Sequence, residues 1–102
     1  MKTVHSKKAT KRAGQSRSVF YDLFPPDVAA EKTMRSELMI ALSDWIQREE
    51  LTQAAAAKVL GVSAPRVSDL VRQKLDLFSL DMLVRFAVRA GLHPQMVLDR
   101  AA

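Results

Sequence analysis

Between Thr52 and Leu70 the chain sets two short helical periods on either side of one glycine, and this spacing constrains its fold more than any other feature. Gly61 can adopt positive φ without a Cβ penalty, so the chain can leave one helix there and turn sharply into the next. Thr52 and Ser63 each stand one residue ahead of an apolar-periodic run, where a side-chain oxygen accepts from unsatisfied first-turn amides. Ala57 is small where the two helices must cross, and Val62 fills the space beneath the turn. Val67 and Leu70, three residues apart, point back at Ala56 and Leu60, which turns Ala64, Pro65, Arg66, Ser68 and Asp69 outward. The predicted helices are Gln53 to Leu60 and Ala64 to about Arg72.

The rest of the chain supplies helices for this pair to pack on. Met34, Leu38, Leu42, Trp45 and Ile46 recur at three- and four-residue steps and predict a long helix from about Val28 to Glu50, capped by Asp27 after Pro25-Pro26. Ser79 caps a helix from Leu80 to Ala90 that carries Leu80, Leu83, Val84, Ala87 and Val88 on its stripe, and Gly91 closes it. Trp45 and Phe86 read as core. The aromatic cluster Phe20, Tyr21 and Phe24 either packs across the domain or anchors a partner protein. His93 to Leu98 is expected to form a short fifth helix with Pro94 in its first turn, the alternative being an extended segment that pairs with another subunit. Leu92, Met96, Val97 and Leu98 are the candidate dimer contacts; their other role would be closure of the domain's own core. The fold expected is all-α, a compact four- to five-helix bundle over residues 19–102.

Composition excludes several classes of function. With 102 residues and 48% apolar content the chain suits one small domain with a core. It has no cysteine, hence no disulfide framework, thiol nucleophile or cysteine-ligated metal. His5 and His93 stand at opposite ends with no carboxylates at ligand spacing, so no metal and no cofactor is expected. No nucleophile elbow, phosphate loop or His-Glu-x-x-His occurs, and an enzyme is not expected. The formal charge of +5 is unevenly placed: six bases precede the first acid at Asp22, whereas the remaining ten bases face eleven acids. Residues 1–18 therefore read as a disordered basic arm, in which Lys7, Lys8, Lys11, Arg12 and Arg17 suit the DNA backbone or a minor groove. No apolar block follows the arm as a secretory signal requires, and none is long enough to span a bilayer, so a cytoplasmic protein with no membrane partner is expected.

Two helices meeting at such a turn form the pattern of a helix-turn-helix, here over residues 52–72, whose second helix fits a DNA major groove about 12 Å wide. Leu51-Thr52-Gln53, Leu60-Gly61-Val62-Ser63, Pro65-Arg66-Val67-Ser68-Asp69-Leu70 and Phe78-Ser79-Leu80-Asp81-Met82-Leu83 resemble the phage-repressor-like (XRE, Cro-type) family. The segment from Ser18 to Asp27 is similar to the one that precedes the first helix in its HigA-type antitoxin branch. Two positions depart from the family pattern: Ala54-Ala55 replaces the usual acidic residue, and Ala64 stands where relatives often carry Gln.

Carried over by motif position, the resemblance implies phosphate contacts from Gln53, Ser68, Arg72 and Lys74, and a groove-facing start of the second helix at Ser63, Ala64, Pro65 and Arg66. Arg66 would contact guanine O6 and N7 or a phosphate, Ala64 a thymine methyl, and Asp69 a cytosine amino group or Arg66 itself. The resemblance further implies a homodimer on a palindromic double-stranded DNA operator, and a repressor that is the antitoxin of a type II toxin-antitoxin pair, neutralising a RelE/HigB-like toxin. A phage-type regulator without a toxin, or an interaction module using the helix-turn-helix only as scaffold, fits the same residues.

Overall fold

The computed structural model describes residues 19–100, and within them all regular structure is helical. A helical turn at residues 19–23 (α1) leads into α2 (Pro26–Arg48), followed by α3 (Gln53–Leu60), α4 (Ala64–Val71), a 3-10 turn (Leu75–Leu77) and α5 (Leu80–Arg89). The expected helical bundle is present. The basic arm, with Lys7, Lys8, Lys11, Arg12 and Arg17, lies outside the described residues.

The longest helix starts earlier than Asp27 suggested. Pro26 is its first residue and Pro25 its N-cap, with no side-chain cap. Proline suits that position because its φ is already helical and its missing N–H is one that has no intrahelical partner anyway. Asp27 instead accepts from the Val28 amide at 2.9 Å, inside the first turn. The buried stripe of α2 is also rotated from the expected one: Ala29, Thr33, Ser36, Met39, Leu42, Trp45 and Ile46 face inward, and Met34 is 37% exposed. Two polar residues on the inner face hide the stripe from an apolar count. The buried Thr33 hydroxyl is satisfied by donating to the Ala29 carbonyl at 2.7 Å.

α2 packs against α4 and α5, while α3 packs against α4 and α5, so the helix-turn-helix meets the long helix mainly through α4. Met39, Leu42, Leu60, Val67, Leu70 and Leu83 are the largest fully buried side chains, and Trp45, Phe78 and Phe86 complete the core. In α5 the inward residues are Leu83, Phe86 and Ala87, whereas Val84 and Val88 are exposed; the bulk of Phe86 claims the inner face.

The expected fifth helix over His93 to Leu98 is absent. The chain leaves α5 through Gly91 at φ +82 and continues without regular structure to Arg100. His93 precedes Pro94, which disfavours helical backbone at His93. Leu92 turns back and packs, partly buried, against the core, while Met96, Val97 and Leu98 are 70%, 78% and 82% exposed.

Candidate nucleic-acid interface

Local sequence chemistry builds the turn between α3 and α4. The Thr52 hydroxyl accepts from the Ala55 amide at 3.0 Å and starts α3. Gly61 ends it in the left-handed region at φ +75, and the Val62 amide reaches back to the Ala57 carbonyl at 3.0 Å. Ser63 then caps α4 by accepting from the Arg66 amide at 3.4 Å. Beneath the turn, Ala56, Ala57, Leu60, Val67 and Leu70 are buried, with Val62 packed on their edge. Each of these positions is where the spacing placed it.

Gln53 is exposed at the first position of α3. At the start of α4, Ser63 and Pro65 are exposed, while Ala64, Arg66, Ser68 and Asp69 are half-buried rather than fully outward. Arg72 and Lys74 are exposed beyond the helix. With Lys58 they give this side of the pair a surplus of positive charge, against Asp69 and Asp76.

Several of the charges here are already engaged. Asp69 pairs with Lys74 at 3.7 Å, so its carboxylate partner is a lysine after the helix rather than Arg66. Arg66 turns toward the segment after α4: its Nη1 donates to the Leu77 carbonyl at 3.0 Å and its guanidinium lies 4.1 Å from the centre of the Phe78 ring. One of its five N–H groups is thus committed, and its charge rests on an aromatic face instead of beside a carboxylate.

Sequence reasoning missed two further arginines that hold this region in place. Arg35 on α2, only 12% exposed at its side chain, pairs with Glu31 at 2.8 Å. It also donates through Nη1 to the Leu75 carbonyl at 2.9 Å and the Phe78 carbonyl at 3.3 Å. Arg89, in the last turn of α5, donates to the Leu60 carbonyl at 2.7 Å beside Gly61. The local signals were a Glu31-Arg35 pair one turn before the buried Met39, and a base at a helix C-terminus. Neither pattern says which distant carbonyl the side chain meets.

The aromatic cluster lies on the other side of the 3-10 turn. Phe20 is half-buried, Tyr21 and Phe24 are exposed, and Lys32 sits 4.7 Å above the Phe24 ring while pairing with Asp76 at 3.8 Å. Phe20, Phe24, Lys32, Leu75, Asp76 and Leu77 line an open groove of about 470 Å³. Among the described residues no group of three His, Asp or Glu could hold a metal ion, and no helix is long and apolar enough to cross a membrane.

Comparison with known proteins agrees with this geometry. A family model described as a helix-turn-helix domain matches residues 19–99. Among solved structures, a protein named as an XRE-family transcriptional regulator superposes with a TM-score of 0.67 at 36% identity, covering 74% of this chain and 84% of its own. No curated protein matches the sequence.

Proposed function

The chain belongs to the XRE-type helix-turn-helix family of DNA-binding regulators, and we propose on that premise that it is a sequence-specific repressor whose α4 enters the major groove. The observation that carries this reading is the capped, glycine-turned α3–α4 pair, which presents Gln53, Pro65 and Arg72 beside a guanidinium with free donors. Arg66 is assigned a guanine contact through the N–H groups that Leu77 does not use. Gln53, Ser68, Arg72 and Lys74 are assigned to phosphates, and Ser63, Ala64, Pro65 and Asp69 to base edges.

One recognition helix per domain favours a homodimer reading two half-sites about 34 Å apart on a palindrome. Met96, Val97 and Leu98 are assigned to the dimer contact, because three consecutive large apolar side chains stand exposed at the end of the described chain. The basic arm is assigned a salt-sensitive contact with the DNA backbone.

The reading extends to an antitoxin that represses its own operator and neutralises a RelE/HigB-like toxin; this part rests on the resemblance carried by residues 18–27 and the helix motifs. Selection from a randomised duplex library by the full-length protein tests the DNA reading. A consensus should emerge, and Arg66→Ala should lower discrimination at a G·C pair by about tenfold; a variant that discriminates selected from scrambled duplexes as well as the wild type does would sink the base contact. The antitoxin reading fails if co-expression with the product of the adjacent gene gives no complex.

A further inference from the structure

We infer that Phe78, which lies outside the helix-turn-helix, is a positioning residue that sets how sharply Arg66 reads its base. This inference rests on the reading that α4 contacts DNA. Arg66 is held from two directions, by the Phe78 ring at 4.1 Å and by the Leu77 carbonyl at 3.0 Å, and the two contacts together select one arrangement of a long, otherwise free side chain.

The platform beneath it is fixed independently. Phe78 is 2% exposed and meets Phe86 edge to face, with ring centres 6.3 Å apart at 79°. Its carbonyl and that of Leu75 both accept from Arg35, whose own charge is paired with Glu31. A ring locked in the core and a backbone clamped from α2 cannot follow Arg66 outward. The guanidinium is therefore presented in place before DNA arrives, and less side-chain freedom is lost on binding. The ring face takes up none of the in-plane N–H groups that a carboxylate would occupy, so those not bonded to Leu77 remain open to guanine O6 and N7.

The test uses the full-length protein, duplexes it selects from a randomised library, and variants of those duplexes with single G·C pairs replaced. Phe78→Leu keeps an apolar core residue and removes the ring. It should lower discrimination by about fivefold at the same G·C pair that Arg66→Ala affects, with the salt dependence unchanged. In the Arg66→Ala background it should have no further effect, and Phe78→Tyr should retain discrimination. A merely structural Phe78 would weaken binding at every position and cost as much without Arg66 as with it; that result overturns the inference while leaving the DNA reading intact. Should Phe78→Leu fail to fold, the wild-type protein still decides: the Arg66 side-chain protons should be shifted upfield by the ring in the NMR spectrum, and random-coil shifts overturn the inference. A wild-type protein that selects no consensus overturns this inference and the DNA reading together.

Discussion

Helices α2, α3, α4 and α5 close with the same reverse bond, from Leu51 to Ile46, Val62 to Ala57, Lys74 to Asp69 and Leu92 to Ala87, at 2.9–3.1 Å. Each closure needs one left-handed residue. Gly61 and Gly91 fill two of these positions, but Glu50 at φ +54 and Gln73 at φ +59 fill the others and bear the Cβ penalty. Gln73→Gly should therefore raise stability by about 1 kcal/mol in urea unfolding, whereas Gly61→Ala should lower it by about 1–2 kcal/mol. At Gly61 an added Cβ would also meet Arg89 Nη1 at 3.4 Å. A stabilising Gly61→Ala would contradict this account of the turn.

Asp81 shows a second effect of single side chains. The Ser79 hydroxyl donates to its carboxylate at 2.7 Å and holds its pKa below the ordinary aspartate value, with a smaller contribution from Arg85. A lowered folded-state pKa contributes stability above the ordinary value, and that contribution is lost as pH falls through the lowered one. NMR titration should show Asp81 ionising at lower pH than an unstructured aspartate, and Ser79→Ala should move it back up.

Among the elements, the short helices were the most legible in the sequence. Thr52, Ser63 and Ser79 cap α3, α4 and α5 as their positions foretold, because a cap bond spans only three residues. Thr52→Ala should destabilise the domain by about 1 kcal/mol in thermal or urea unfolding, and no loss would show that the hydroxyl is replaceable by solvent. The long helix was less legible. Its inner face includes Thr33 and Ser36, and its first residue is a proline that reads as a breaker until the chain is seen to begin a helix there. In α5, Val84 and Val88 fit the apolar period as well as Phe86 does, and only the neighbouring helix decides which of them is covered.

For the molecule as a whole, the tail separates domain stability from assembly. Leu92 packs on the core, but Met96, Val97 and Leu98 stay largely exposed within one copy. Truncation after His93 should leave the unfolding transition of the isolated domain unchanged and convert the proposed dimer to a monomer in analytical ultracentrifugation. A truncated chain that still sediments as a dimer would move the interface elsewhere.

Periodicity, caps and one glycine sufficed to determine that this chain is helical and that its third and fourth helices form a helix-turn-helix, since those signals act over a few residues. The tertiary structure decided what lies at long range. Arg35, 40 residues before Leu75, clamps the segment that receives Arg66. Arg66 itself, an outward charge by spacing, is held on Phe78 through a contact between a helix and the loop that follows it. Hydrogen bonds from arginine to backbone carbonyls leave no pattern in sequence, because any residue offers the same acceptor.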